Sequence, residues 1–580
     1  MRPSHSSIPR IYPARRILHP PNTRCSKPSI PRQFSHKSPR LLGVLHAAPR
    51  PQLPFLYPTS RGLNGQIFRF FTISSNHKKF IKETARLTVK FTFVFWLIST
   101  CFTIASLGIL SERQERAFPS PPEWSLWTRF RFRRGKWWEI PENNEDEGFP
   151  NWARLYAEYE HALKRLEDPS KDGSDVVEQQ EGGLLVPGVG KAGFDLTAKS
   201  EQWRQGYYEV LMGMARAAER MEGWVTDKKR NNAWAPEFIA SPSNPRPKAT
   251  PPGMPVPPEE DEQLTITDPP ESFYLKVLTS KGFTSHQRLT AALSYADWLS
   301  FKKLPDSAEE MYRWALDIAI SGLPTPDPST IINPTTAILS STAPKELITP
   351  NLIHAATTLA THYASTGNIA SALPIYVSVL RARLHASPAP PSPPPPPKDS
   401  SLTGTLVGLF HAPPYPSLPS TGDEPLLRRP EDECEEAALK NYIGEILFAT
   451  AGTSSQRRQG LNWVREGVST AKSAQTLDSI TADPERRKKC QLCEEVGLES
   501  WGKIMTYLAA EAREKRDQAT AGGIKGLGSR LWGRGKLDEE VEELEGEEEG
   551  VVMRLAKLRQ RMRKEEYEDM DRKYARTFVF

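Results

Sequence analysis

Acidic residues are missing from the start of the chain. No aspartate or glutamate precedes Glu83, whereas arginine, lysine, serine, threonine and proline are frequent over the same stretch. An arginine-rich, serine-rich, acid-poor leader is typical of mitochondrial transit peptides. We therefore expect residues 1–75 to be a disordered transit peptide, because a positive segment is drawn toward the negative matrix side. A basic arm that binds nucleic acid or acidic lipid is the alternative, and we expect no nucleic-acid partner.

Cysteine is also scarce. Five cysteines are too few for a disulfide framework in a chain of 580 residues. Cys490 and Cys493 have the spacing of half a zinc site, but no second pair supplies the remaining ligands. We interpret both as small apolar residues on a helix. No Ser/His/Asp, Cys/His or paired-carboxylate spacing stands out, so we expect no enzyme, no cofactor, no metal and no small-molecule substrate.

Long apolar runs are absent except for one. Residues 91–110 carry no charge and have the length, about 20 residues, that crosses a hydrocarbon core as a helix. The charges after the run balance, whereas basic residues precede it: Lys78, Lys79, Lys82, Arg86 and Lys90. The positive-inside bias then places the N-terminus in the matrix and the C-terminal domain in the intermembrane space. The alternatives are a buried helix of a soluble domain and an outer-membrane anchor that faces the cytosol.

Aromatic and basic residues alternate just after this predicted span, in residues 111–150. Aromatic side chains favour the water–lipid interface and cations favour anionic headgroups, so we expect this segment to lie on the membrane. Packing against the soluble domain is the alternative. The candidate membrane-interface residues are Trp124, Trp127, Arg131, Arg133, Arg134, Trp137 and Trp138.

Proline and hydrophobic periodicity divide the rest of the chain. The 53 prolines are clustered, and such clusters cannot build a packed core. Apolar residues elsewhere recur at three- and four-residue spacing, which predicts helices. The predicted parts are a helical region at 151–230, a proline-rich linker at 231–271, helical repeats at 272–385, a second proline-rich linker at 386–430, repeat-like helices at 431–515, and a charged helical segment at 535–575.

Two segments share one spacing of small and aromatic residues. An alanine is followed twelve positions later by a second alanine, and four positions after that by a tyrosine, in residues 289–320 and again in 353–381. Antiparallel helices approach closely only where a side chain is nearly absent, and a tyrosine can fill the gap to the next pair. The predicted signature residues are Ala296, Leu299, Ala308, Tyr312, Ala315, Ala360, Tyr363, Ala372, Tyr376 and Val379.

These segments resemble tetratricopeptide repeats (TPRs). The resemblance implies an all-α fold of TPR-like helical hairpins, an α-solenoid, placed after a single transmembrane helix and interrupted by long disordered proline-rich segments. The leader, the span and the repeats together resemble fungal mitochondrial inner-membrane TPR proteins, and in architecture they are similar to the TPR adaptor of the i-AAA protease complex. The resemblance implies an adaptor that presents proteins to an inner-membrane protease or chaperone; a scaffold or assembly factor for a respiratory complex is the alternative.

Overall fold

The computed structural model describes residues 74–144, 150–178, 185–186, 190–191, 193–227, 232–242, 244–250, 256–259, 263–265, 267–390, 415–521 and 527–577. The chain divides into two units, Met1–Phe95 and Trp96–Phe580. The predicted transit peptide and the proline run at 388–397 fall almost entirely outside the described residues. The first unit is described only as the beginning of one long helix.

That helix, α1, spans Ser75–Ala117 and contains the apolar run. Within the described residues it is the one helix long and apolar enough to cross a membrane. It is longer than the predicted span because the residues that flank the apolar run continue its helical backbone. Its last turn lies in the second unit, where Glu115 is buried and its carboxylate forms ion pairs with Arg133, at 2.5 Å, and Arg129, at 3.0 Å.

The second unit is built from α-helices. Their bounds are α2 Leu126–Glu139, α3 Trp152–Leu166, α4 Glu201–Arg220, α5 Pro270–Thr279, α6 Ser285–Phe301, α7 Pro305–Ser321, α8 Pro350–Ser365, α9 Ile369–His385, α10 Glu433–Thr450, α11 Ser454–Ala474, α12 Asp478–Thr481, α13 Pro484–Ala521 and α14 Leu527–Thr577. Side-chain caps mark where several of them begin. Thr284 and Gln287 form a capping box at α6, and Thr453 and Gln456 form one at α11.

Twelve of these helices pack as six neighbouring pairs within the described residues. The pairs are α2–α3, α4–α5, α6–α7, α8–α9, α10–α11 and α13–α14. The second helix of each pair also packs against the first helix of the next pair. This succession is an all-α helical-hairpin repeat fold, in which each unit buries its apolar face against its neighbours. We call α2, α4, α6, α8, α10 and α13 the first helices.

The pair α10–α11 shows why small residues recur in this fold. A Cβ atom added at Gly444 would lie 2.7 Å from the carbonyl oxygen of Gly460, and one added at Gly460 would lie 2.7 Å from the carbonyl oxygen of Gly444. The two backbones therefore approach closely at this point. The sequence places these glycines where Ala296 and Ala308 stand in the α6–α7 pair, although the intervening segment is four residues longer.

Strands are short. Antiparallel pairs form between β1 (Val177–Glu178) and β4 (Phe194–Asp195) and between β2 (Leu185–Val186) and β3 (Gly190–Lys191). A three-stranded sheet has the order β6 (Ala233–Trp234), β5 (Val225–Asp227) and β7 (Gln263–Thr265). Strands β8 (Ser387–Pro388) and β9 (Leu427–Arg428) pair in parallel and join the two ends of the long connection between α9 and α10. The predicted proline-rich linkers therefore contain ordered segments.

One disulfide joins Cys434, near the start of α10, to Cys490 in α13. Both residues are buried, together with Ala474 and Ile480. We expected Cys490 to be a small apolar residue on a helix, and this expectation is wrong. The fold brings a third cysteine, Cys434, to it from 56 residues away. Cys493 remains a free thiol, and burial raises its pKa above the ordinary value.

Candidate protein-binding face

Polar side chains of three successive first helices form one connected network. The side chain of Gln287 in α6 donates from Nε2 to Oε1 of Gln205 in α4, at 2.7 Å. Gln205 donates in turn to Glu209, at 2.9 Å, and Lys136 of α2 lies 3.0 Å from the second oxygen of that carboxylate. Since Gln287 also completes the cap of α6, this network links three successive first helices and fixes their relative register.

A segment of the second proline-rich linker lies next to this network. We call residues 415–428 the strap. The strongest attachment is at Asn351, at the start of α8: its backbone N–H donates to the carbonyl of Gly422 at 3.1 Å, and its side-chain amide donates to Thr421 and Asp423 at 2.9 Å each. His286 of α6 contacts the same side chain at 3.0 Å. Asn351 therefore joins the strap to two first helices.

Gly422 is required where the strap meets α8. Its φ of +74° is a conformation that L side chains rarely adopt, and a Cβ atom there would collide with the Asn351 amide. Beyond it, Leu426 is buried and donates its N–H to the carbonyl of Ile348 at 2.8 Å. Arg428 then donates two hydrogen bonds to the buried carboxylate of Glu436 in α10, at 2.7 and 2.9 Å. This bidentate arrangement is the strongest geometry for an arginine–carboxylate pair.

The other end of the strap lies over a cleft at the first two pairs. Residues 415–419 line a cavity of about 310 Å³ together with residues 117–119, with Phe132 and Lys136 of α2 and with Gln205 and Glu209 of α4. Tyr415 and Leu418 are half-buried, whereas the three residues around them are exposed. Burial, together with the negative charges of Glu209 and Glu115, raises the pKa of Tyr415. An extended segment of this chain thus occupies a surface built from the first helices.

The ten predicted signature residues are all buried in the α6–α9 region: Ala296, Leu299, Ala308, Tyr312, Ala315, Ala360, Tyr363, Ala372, Tyr376 and Val379. They form the packing between helices and are not exposed on the surface. Two tyrosines occupy equivalent positions. The hydroxyl of Tyr312 donates to Asp297 at 2.5 Å, and that of Tyr376 contacts Thr361 at 2.9 Å, each reaching back fifteen residues to the first helix of its own pair.

The same tyrosines also contact the following pair. The ring of Tyr312 lies 4.9 Å from that of His362 in α8, and the ring of Tyr376 stacks on that of Tyr442 in α10 at 5.6 Å. Tyr363 likewise bridges two pairs, because its hydroxyl donates to Glu309 of α7 at 2.9 Å. Each of these aromatic side chains therefore packs between consecutive helical pairs.

The seven candidate membrane-interface residues divide into two groups. Trp124 and Arg133 are buried within the helical unit, and Trp138 packs on the core beneath Arg154. Arg131 and Arg134 both pair with the buried Glu158 of α3. Trp127 and Trp137 are exposed. Much of this segment therefore packs as helix α2 against α3, the alternative considered above, and membrane contact stays a prediction for the two exposed indoles.

The sequence does not predict the strap. Its proline-rich composition favours a linker, and no periodicity distinguishes residues that lie on the surface of helices elsewhere in the chain. The signals that could have suggested order are Gly422, in a Thr-Gly-Asp turn, and the apolar Leu426–Leu427 between charged residues. Neither signal identifies Asn351 or Glu436 as the contact.

Within the described residues, no group of three or more histidine, cysteine, aspartate or glutamate side chains is arranged to hold a metal ion. Comparison with known proteins found no family model, no curated protein and no solved structure that matches this chain.

Proposed function

We propose that this chain is a membrane-anchored TPR-like module for protein–protein interaction in mitochondria. We further propose that it is an adaptor that presents proteins to an inner-membrane protease or chaperone. Stacked helical hairpins bind extended segments or helices of other proteins along the surface of their repeats. The observation that carries the proposal is the strap, because it is an extended segment already bound across the beginnings of α4, α8 and α10.

The proposed location is the inner membrane, with the N-terminus in the matrix and the helical pairs in the intermembrane space. The acid-free leader and the apolar helix α1 support this location. The disulfide between Cys434 and Cys490 adds support, because disulfides persist in oxidising compartments and are rare where thiols are kept reduced. This argues for the intermembrane space over a cytosolic or matrix position of α10 and α13.

Affinity purification of the tagged full chain from detergent-solubilised fungal mitochondria tests the role. We expect an inner-membrane AAA protease or chaperone, together with a set of clients that changes with growth conditions. A single respiratory complex recovered in fixed stoichiometry would instead support the scaffold and contradict the adaptor.

In a separate test of topology, a C-terminal tag should be digested by added protease only after the outer membrane is ruptured. A tag that stays shielded after rupture contradicts the proposed orientation.

A further inference from the structure

The two ends of the strap are attached in different ways. Residues 421–428 are fixed by backbone and side-chain hydrogen bonds to α8, by the pairing of β9 with β8, and by the Arg428–Glu436 pair. Within the described part of the chain, no hydrogen bond joins residues 415–419 to the helices beneath them. Their attachment is the partial burial of Tyr415 and Leu418. The end of the strap over the cleft is therefore held by fewer contacts than the other end.

The chemistry of this end matches a known way of binding peptides. Residues 415–419 read Tyr-Pro-Ser-Leu-Pro, and a segment with two prolines in five positions favours the extended polyproline II conformation. That helix has three residues per turn, so Tyr415 and Leu418 fall on the same side. These are the two half-buried residues, and Pro416, Ser417 and Pro419 are exposed. Pre-extended proline-rich segments dock into aromatic-lined grooves at a low cost in conformational entropy.

The cleft supplies complementary walls. Phe118, Pro119 and Phe132 provide apolar surface, and the ion pair between Lys136 and Glu209 lies at the polar side. Lys136 is itself held 5.6 Å from the centre of the Phe132 ring. Phe132 is buried in the helical core and Lys136 pairs with Glu209, so these parts of the cleft are formed by the helices and not by the strap. A preformed site needs little reorganisation to accept a ligand.

We propose that this cleft binds a proline-rich peptide of a partner protein that carries a tyrosine and a leucine three residues apart. Residues 415–419 are then an internal ligand that covers the cleft until the partner displaces it. This inference rests on the proposed function and deepens it by naming the chemistry of the ligand. It also implies autoinhibition, because a tethered ligand acts at an effective concentration on the order of millimolar and competes with any peptide in solution.

The test measures binding of a fluorescent hexapeptide with the sequence of residues 415–420 to the detergent-solubilised full chain, by fluorescence anisotropy. The double substitution Tyr415→Ser and Leu418→Ser removes both anchors of the internal ligand. We expect it to tighten the apparent affinity for the peptide at least about tenfold, since apparent affinity scales with the fraction of open cleft. The matched control is Ser417→Ala, an exposed position between the anchors, which should leave the affinity unchanged.

A third variant tests whether the peptide binds in this cleft. Phe118→Ala, added to the double substitution, removes a half-buried wall of the cavity without touching the buried core, and it should weaken peptide binding again. A peptide with serine at both anchor positions should not bind. The proposal is overturned if the double variant and the native chain bind the peptide equally, if neither binds it, or if Phe118→Ala has no effect. Such a failure is distinguishable from failure of the proposed function, because partner recovery from mitochondria does not require this cleft.

Discussion

The disulfide allows the compartment and the fold to be tested together. Replacing Cys434 and Cys490 by serine removes a cross-link between α10 and α13, which are 56 residues apart at the point of contact. Closing a loop of this length lowers the entropy of the unfolded chain by an amount equivalent to roughly 4 kcal/mol at 25 °C in the loop-closure description. We expect the free energy of unfolding of the α10–α14 region to fall by about 2–4 kcal/mol.

The assay is guanidinium denaturation of the full chain in detergent, followed by tryptophan fluorescence with and without reductant. Of the 14 tryptophans in the chain, Trp463 in α11, Trp501 in α13 and Trp532 in α14 lie in this region and contribute its share of the signal. Reductant should destabilise the native chain and leave the double serine variant unchanged, which makes that variant the matched control. Among the four cysteines that the structure describes, thiol alkylation of unfolded but unreduced protein should modify Cys101 and Cys493 and spare the bonded pair. In the folded protein Cys493 should react slowly, because burial raises its pKa and only the thiolate is nucleophilic.

One result would refute the reasoning about the compartment. If protein alkylated inside intact mitochondria before extraction carries label on both Cys434 and Cys490, the two thiols are reduced where the protein works. The helical region would then face a reducing compartment, in conflict with the intermembrane-space proposal. A stability that does not depend on reductant in the native chain would refute the structural role of the bond instead.

Three further substitutions test the packing of the repeats by denaturation of the full chain. Glu115→Gln leaves the buried Arg133 without its countercharge and should cost about 3–5 kcal/mol. Gly444→Ala puts a methyl group 2.7 Å from the backbone oxygen of Gly460 and should cost about 1–3 kcal/mol. Tyr376→Phe removes the hydrogen bond to α8 at a cost of about 1 kcal/mol. Burial raises the pKa of Tyr376 to about 12, so the native chain should lose stability as the pH rises from about 10 toward 12, and the variant should lose less.

Matched controls separate these effects from general loss of stability. Glu112→Gln removes an exposed ion pair in the same helix as Glu115 and should cost less than about 1 kcal/mol. Gly546→Ala adds a methyl group with no atom within 4 Å and should stabilise α14 slightly. Tyr567→Phe alters an exposed tyrosine and should change nothing measurable. Equal losses in a substitution and its control would contradict the packing argument for that position.

The local sequence determined the hairpins whose contacts are close in the chain. The alanine-to-alanine spacing of twelve residues predicts α6–α7 and α8–α9, because a helix, a short turn and a returning helix bring those positions face to face. The apolar run likewise predicts a helix that can span a membrane, since length and composition suffice for that. These properties depend on residues close together in the chain, so the spacing of apolar and small residues in the sequence predicts them.

Only the tertiary structure decided which distant groups meet. Glu209 and Tyr415 are about two hundred residues apart, and nothing in either neighbourhood encodes their approach. The same holds for Cys434 with Cys490, for Asn351 with the strap, and for the inclusion of α2 in the stack. Such contacts depend on how many hairpins intervene and how each packs on the next. Composition alone therefore assigned the strap to a linker, whereas the stacked helices provide the surface that orders it.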